Sequence, residues 1–389
     1  ERLALSGQAS QAQIHGLRRS LREQEDRLGR LLADARAEAP GNTGPLALET
    51  IQAAIPPGAI LLEYYIARGA LYATILDGRS LEIVPLGRAE EIRARMRLLR
   101  FQVSRFRLGG DYRRAVGEGS DLAANSHLAE LYADLIAPLR ARLETAAHLV
   151  VAPHDFLHHL PFHALLAPDG YLIDRFKVTY TPSATVFALG ARPPAGPAAE
   201  GSLVFGIPDR LAPHIEQEAR AAAALLPSAR LFLGEDATGE AFRSHAPASR
   251  FIHIATHGLF RRDNPLFSAI RLGDSHLTLL DLYRLPLRAD LVTLSGCSTG
   301  LNLVVGGDEL IGLMRGLLLA GTHNVLVSLW DVNDRTTADF MSNFYRFFNA
   351  SSDMPGALRE AIRDLRATYP HPYHWAPFLL AGKCTGGVM

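Results

Sequence analysis

The chain has 389 residues, of which 48% are hydrophobic, and its 40 basic and 40 acidic side chains give a formal net charge of +0 at pH 7. This composition is typical of a soluble globular protein and excludes a disordered chain. No charge excess favours nucleic acid or an anionic membrane as a partner. The chain has two cysteines, Cys297 and Cys384, which lie far apart and predict a cytoplasmic protein without a disulfide framework. The sequence has no apolar run of membrane-spanning length.

Residues 1–45 are predicted to form a helical arm and a linker. Over residues 11–37 apolar side chains recur at heptad-like spacing among charged ones, and a run rich in Pro and Gly follows at 40–45. A helix this polar needs a surface for its apolar stripe, which the following domain, upstream helices or a regulatory partner would supply, and packing is the favoured interpretation. Because the chain begins with Glu1, we expect a fragment of a longer polypeptide or a trimmed one.

Residues 46–192 are predicted to form a first lobe. Apolar runs that begin at Ile60 are separated by the hairpin signals Arg68-Gly69 and Asp77-Gly78. Helices and a further strand are predicted at 90–104, 128–143 and 148–153.

A cluster of histidines follows that strand: His154, His158, His159 and His163. Two imidazoles on one helical face would suit zinc. However, apolar side chains are interleaved with these histidines, no thiol is near, and a bound metal needs three or four converging ligands. We therefore predict a packing unit and no metal site.

Residues 199–389 alternate between strands and helices, with the pattern expected of a second α/β lobe. Strands are predicted at 203–206 and 229–233 and helices at 215–226 and 238–246, and two further strands are predicted at the start of the stretches 251–258 and 291–300. Right-handed crossovers between such strands predict a largely parallel sheet with helices on both faces.

Two of these strands end in small residues with one chemically capable side chain each. The first is followed by His257 and Gly258, and the second, forty residues later, by Cys297 in the run Gly296 to Gly300. Because reacting groups collect at the carboxyl ends of strands in an open α/β sheet, we expect a Cys/His nucleophile pair. The small neighbours leave room for a substrate backbone, and the N–H groups of Gly258 and Cys297 are the candidate oxyanion donors.

The two strand ends resemble the catalytic motifs of the CHAT domain, a bacterial relative of caspases and separase in which a His-Gly and a Cys among small residues form the dyad. The run Leu160-Pro161-Phe162, followed by Ala164-Leu165, and the closing stretch 374–380 are also similar to that family. The resemblance covers about residues 50–383.

The resemblance implies a caspase-like α/β fold, with a mostly parallel sheet flanked by helices. In it, a pseudo-caspase lobe at 46–192 supports the active lobe at 199–389. It also implies a cysteine endopeptidase that needs no metal or organic cofactor, acts on a protein substrate and follows a helical repeat domain. Bacterial members are linked to defence and regulated cell death, so a gasdermin-like substrate is expected by resemblance alone.

Acidic residues after a later strand are candidates for substrate binding. The run Trp330-Asp331-Val332-Asn333-Asp334 resembles the Trp-Asp-Val-Thr-Asp run of separase, with Asn333 in place of Thr. The resemblance implies that Asp331 or Asp334 holds a basic side chain just before the scissile bond. For Asp334 a helix N-cap is an equally good interpretation, since Asp is a favoured cap.

Two other functions stay open at this point. In the first, the caspase-like fold is a catalytically silent scaffold for protein–protein interaction, and the arm recruits partners. In the second, the same dyad carries out acyl transfer or ester hydrolysis.

Overall fold

The structure is a computed structural model. It describes residues 46–105, 119–190, 199–210, 212–259, 269–296, 303–305, 309–311, 313–330 and 334–383. The arm and linker predicted at 1–45 lie outside these ranges.

The described elements alternate between strands and helices along most of the chain. The strands are β1 (Ala59–Ala67), β2 (Ala70–Leu76), β3 (Leu81–Arg88), β4 (His148–Ala152), β5 (Leu166–Ala167), β6 (Gly170–Tyr171), β7 (Lys177–Tyr180), β8 (Ser202–Gly206), β9 (Ala229–Leu233), β10 (Phe251–Ala255), β11 (Gly258–Leu259), β12 (Ala269–Arg271), β13 (His276–Thr278), β14 (Leu291–Ser295), β15 (Leu303–Val305), β16 (Glu309–Ile311), β17 (Asn324–Ser328) and β18 (Phe378–Gly382). The helices are α1 (Leu48–Ala54), α2 (Ala89–Arg105), α3 (Gly119–Leu135), α4 (Arg140–Leu143), α5 (Leu172–Arg175), α6 (Ala184–Gly190), α7 (Ile215–Leu225), α8 (Gly239–His245), α9 (Leu279–Arg284), α10 (Leu313–Leu319), α11 (Asp334–Ser351), α12 (Met354–Thr368) and α13 (Pro372–Trp375).

Among the described residues, the main sheet has eleven strands in the order β3-β2-β1-β4-β7-β18-β17-β14-β10-β8-β9. Strands β1, β4 and β7 run parallel to one another, and so do β17, β14, β10, β8 and β9. Strand β18 joins the two groups, because it is parallel to β7 and antiparallel to β17. The groups therefore point in opposite directions, and β10 and β14 end at the edge opposite to the ends of β1 and β4.

Strands β8, β10 and β14 end level with one another. Ala255, the last residue of β10, pairs with Gly206 of β8 on one side and with Ser295 of β14 on the other. All three strands are buried along their whole length. A parallel strand covered on both faces is expected to be a continuous apolar run, which explains why these segments show no alternation of polar and apolar residues.

Helices cover both faces of this part of the sheet. On one face, side chains of α7 and α11 contact His253 in the middle of β10. On the other face, Phe242 of α8 packs against Phe205 of β8, with ring centroids 5.8 Å apart. The site at the strand ends therefore rests on a core that is closed on both sides.

The predicted fold class is confirmed: the protein is mixed α/β, with a large, mostly parallel sheet flanked by helices. The helix predicted at 128–143 is present in two parts, because α3 runs from Gly119 to Leu135 and ends shortly before Pro138, and α4 follows at Arg140–Leu143. Proline has no N–H to continue a helix and restricts the residue before it. The sheet runs through both predicted lobes, and their division between 192 and 199 stays a prediction.

The histidine run after β4 is a packing unit in the structure. His158 and His163 are buried, and His163 Nδ1 lies 2.9 Å from the hydroxyl of Tyr180 on β7. Burial lowers the pKa of each of these two imidazoles to about 3. Within the described ranges, no three His, Cys, Asp or Glu side chains converge on a possible metal position.

We expect these buried imidazoles to make the fold sensitive to mild acid. An unfolded histidine binds a proton near pH 6.5, whereas His163 stays neutral in the folded state until about pH 3. The neutral His163 side chain therefore makes its full contribution to the free energy of unfolding above pH 6.5. As the pH falls this contribution is lost, and at pH 5 the free energy of unfolding is lower by about 2 kcal/mol. His163→Gln should reduce the loss of unfolding free energy between pH 7 and pH 5, measured by urea denaturation.

His276 is exposed on β13, so His276→Gln supplies the control for replacing a histidine that folding does not bury. An equal pH dependence in His163→Gln and the wild type would contradict the assignment of acid sensitivity to this imidazole.

Candidate active site

His257 lies two residues beyond the end of β10, with 24% of its side chain exposed. Its Nε2 atom is 3.1 Å from Oδ2 of Asp209, although this contact lacks the alignment of a hydrogen bond. Asp209 follows β8, the parallel neighbour of β10, by three residues. A partly open imidazole beside a carboxylate at the carboxyl edge of a sheet is suited to proton transfer.

Arg271 connects this pair to the small sheet formed by β11, β12 and β13. Its Nη1 atom is 3.1 Å from the same Oδ2 atom of Asp209, and its backbone N–H donates to the carbonyl of His257, at 3.1 Å. The carboxylate is therefore shared between an imidazole and a guanidinium, and the backbone of His257 is fixed by the strand that carries the guanidinium.

Asp209 was not among the site residues predicted from the sequence. Its position beside His257 depends on the order of strands in the sheet. Strands β8 and β10 are adjacent there, although their last residues, Gly206 and Ala255, are 49 positions apart and β9 lies between them in the sequence. The available signal was that Asp209 is the first carboxylate after a buried strand of the same parallel group.

Gly258 begins β11 and pairs with Ile270 of β12. Because the N–H of Arg271 donates to the carbonyl of His257, Gly258 and Ile270 form a non-hydrogen-bonded pair of the antiparallel ladder. In such a pair the N–H groups point out of the ladder. The N–H of Gly258 is therefore directed away from β12, as an oxyanion donor requires.

Cys297 and Asp331 lie outside the described residues, so the dyad, the oxyanion donors and the Asp331 subsite stay predictions. The strand before Cys297 is described up to Gly296. Ser295 pairs with Ala255 and accepts a hydrogen bond from the N–H of Thr256, at 2.9 Å. The strand segments that precede positions 257 and 297 are thus adjacent and in register.

Asp334 is the first residue of α11, and its Oδ2 atom accepts a hydrogen bond from the backbone N–H of His214, at 2.6 Å. His214 immediately precedes α7, so the carboxylate links the starts of two helices that pack on the same face of the sheet. Burial raises the pKa of Asp334 above its usual range, whereas the His214 hydrogen bond and the nearby His257 act in the opposite direction. Asp334 therefore lies within electrostatic reach of His257.

A buried polar network that was not predicted from the sequence lies under the strand ends. His253 is four residues before His257 on β10, and its Nε2 atom is 3.2 Å from Oε1 of Glu218 on α7. Its Nδ1 atom is 3.0 Å from the hydroxyl of Tyr345 on α11, and this hydroxyl donates to Thr293 of β14, at 2.8 Å. The network ties both helices to the two strands that lead to the site.

Comparison with known proteins identifies the family. A family model described as the CHAT domain matches residues 126–383. The chain belongs to the CHAT domain family. Tetratricopeptide repeat protein 28 of Homo sapiens is 26% identical over 327 residues, an alignment that takes in 67% of this chain and 13% of that protein. The chain thus corresponds to a small share of that relative's length.

Solved structures agree with this membership at the level of the fold. Two crystal structures of the Saccharomyces cerevisiae separase–securin complex match with TM-scores of 0.56 and 0.54, each at 13% identity. Each match covers 86% of this chain and 30% of the matched chain. At this identity the likeness shows a shared separase-like fold. No helix in the described part of the CHAT chain is long and apolar enough to cross a membrane.

The raised pKa of Asp334 predicts the effect of removing its charge. Folding disfavours the ionised carboxylate of Asp334. The ionised group therefore lowers the free energy of unfolding at pH values above its pKa in the folded state, and this effect disappears below its pKa of 3.8 in the unfolded chain. Asp334→Asn keeps an oxygen for the His214 N–H and should melt at the wild-type temperature or above it at pH 7. This advantage should shrink as the pH falls toward 4, measured by thermal melting.

Asp274 provides a control of the opposite sign. Hydrogen bonds from the Gly239 N–H and the Ser275 hydroxyl lower the pKa of Asp274, so its ionised form favours the folded state. Asp274→Asn should therefore melt below the wild type at pH 7. A lower melting temperature for Asp334→Asn at pH 7 would show that the interpretation of Asp334 is wrong.

Proposed function

We propose that this CHAT domain is a cysteine endopeptidase in which Cys297 is the nucleophile and His257 the general base and acid. The observation that carries the proposal is the register of β10 and β14, since Ala255 and Ser295 pair two residues before the imidazole and the thiol. Family membership and the separase-like fold support the same reaction class.

In the proposed reaction, the Cys297 thiolate attacks the carbonyl carbon of the scissile peptide bond. The N–H groups of Gly258 and Cys297 stabilise the developing oxyanion, and protonated His257 gives its proton to the leaving amine. Water then hydrolyses the thioester, with His257 as base, and the thiol is restored. The reaction requires no metal or organic cofactor.

Asp209 has a positioning role in this proposal. Its contact with Nε2 of His257 restricts the orientation of the ring and favours the imidazolium that forms during the reaction. Its second contact, with Arg271, holds the carboxylate in place.

The proposed substrate is a protein with a basic residue before the scissile bond, held by Asp331 or Asp334. The described carboxylate, Asp334, supports this by its closeness to His257, although its Oδ2 atom already accepts from His214. By family resemblance we extend the proposal to a cytoplasmic enzyme of bacterial defence that acts on a gasdermin-like protein. An upstream helical repeat or a regulatory partner would meet the arm at 1–45.

The dyad is tested by substitution. We expect Cys297→Ala and His257→Ala each to abolish cleavage of a peptide library by the full chain, with melting temperatures close to that of the wild type, because nucleophile and base act as one unit. The products are read by mass spectrometry. Residual turnover above about 1% in either variant would contradict the dyad.

The same digest separates the alternatives. Enrichment of Lys or Arg just before the cut, reduced in Asp334→Asn, supports the acidic subsite. A folded wild-type chain that cleaves neither peptides nor thioesters, and whose Cys297 is not labelled by a thiol probe, would instead indicate a scaffold. Thioester turnover without peptide cleavage would indicate acyl transfer.

A separate experiment tests Asp209. Asp209→Asn should lower kcat by about 10- to 100-fold and change KM little, because it weakens the orientation of the general base. Asp290→Asn is a matched control: Asp290 also contacts a histidine and an arginine, His323 at 3.2 Å and Arg250 at 2.5 Å, but lies before the first residue of β14, at the opposite edge. Equal losses in the two variants would contradict a specific role for Asp209.

A further inference from the structure

Ser328 makes a hydrogen bond to the residue that precedes the proposed nucleophile. It is the last residue of β17, the neighbour of β14 on the side away from β10, and it is 4% exposed. Its hydroxyl donates to the carbonyl oxygen of Gly296, at 3.0 Å. This is a buried side-chain contact at the carboxyl edge of the sheet, and the proposed mechanism does not otherwise use it.

The hydrogen bond fixes the direction of one peptide group. Ser295 directs its carbonyl toward β10, where it accepts from Thr256, and Gly296 directs its carbonyl the other way, toward β17. A trans peptide is planar, so the carbonyl of one residue and the N–H of the next point in opposite directions. The Gly296 carbonyl faces β17, so the direction opposite to it, along which the next N–H of a trans peptide points, is that of β10, whose end carries His257 and Gly258.

We propose that Ser328 is a positioning residue for the oxyanion donor at position 297. This inference rests on the proposed function and deepens it. The ladder to β10 is described as far as the Thr256–Ser295 hydrogen bond, and glycine at 296 permits backbone conformations that other residues avoid. A rotated peptide would turn the Gly296 carbonyl oxygen toward the substrate oxyanion and repel it. The Ser328 hydroxyl opposes that rotation.

Loss of the Ser328 hydroxyl is expected to weaken stabilisation of the transition state and to change substrate binding little. Removing an oxyanion donor outright costs about 100- to 1000-fold in kcat, and loosening one should cost about tenfold. In the full chain, Ser328→Ala should therefore lower kcat about tenfold, with KM changed by less than about twofold. Ser328→Thr keeps the hydroxyl and should restore most of the rate.

Ser202 is the matched control. It is also a buried serine on a strand with neighbours on both sides, and its hydroxyl donates to the backbone carbonyl of Pro227, at 2.7 Å, but it begins β8 at the opposite edge. Ser202→Ala and Ser328→Ala each lose one buried hydrogen bond and should be destabilised by similar amounts. The loss of kcat should occur in Ser328→Ala alone.

A second measurement separates the oxyanion from the thiol. A peptide aldehyde forms a tetrahedral adduct with Cys297 and uses the oxyanion donors, whereas alkylation by iodoacetamide uses the thiolate without forming an oxyanion. Ser328→Ala should weaken aldehyde inhibition about tenfold and leave the alkylation rate of Cys297 near the wild-type value.

The outcomes distinguish this inference from the proposed function. If the wild type cleaves peptides and Ser328→Ala has the same kcat and aldehyde affinity, the role of Ser328 is overturned and the proteolysis stands. Equal loss of kcat in Ser202→Ala also overturns it. If the wild type neither cleaves peptides nor binds the aldehyde, both the proposed function and the inference fail.

Discussion

The site depends on one constraint, the parallel pairing of β10 with β14 without an offset. This pairing runs from Phe251 beside Leu291 to Ala255 beside Ser295, and the Thr256–Ser295 hydrogen bond extends it by one residue. A shift of one residue would turn every side chain of a strand to the other face of the sheet. Because both faces are buried, such a shift would bury polar groups without partners, so packing fixes the register and the register fixes which strand ends are adjacent.

The buried network around His253 strengthens that register. Glu218 and Tyr345 belong to different helices, and both reach His253, while Tyr345 also reaches Thr293, the residue that pairs with His253 on β14. Another register would leave an ionisable group in the core without its partners. Such a network is costly in net stability but discriminates strongly against alternative packings. It accounts for polar residues in two strands that are otherwise apolar.

Much of the fold could be predicted from the sequence, and the reasons are local. The apolar runs of β10 and β14 are long enough for buried strands, and the small residues after each mark the point where the strand ends. The position of Asp209 could not be predicted, since it requires knowing that β8 lies beside β10. The contact between Asp334 and His214 joins residues 120 positions apart, and periodicity carries no information on it. The opposite directions of the two strand groups follow from β18, whose sequence does not reveal its neighbours.

The sharing of Asp209 bears on how the imidazole works. A carboxylate that faces only an imidazole can stabilise a positive charge on it with its full electrostatic effect. Here the same Oδ2 atom also lies 3.1 Å from Nη1 of Arg271. Because the guanidinium is always positively charged, it offsets part of the negative charge that Asp209 presents to the imidazole. The Nε2 contact also lacks hydrogen-bond alignment. Asp209 is therefore better suited to hold the ring in place than to receive its proton.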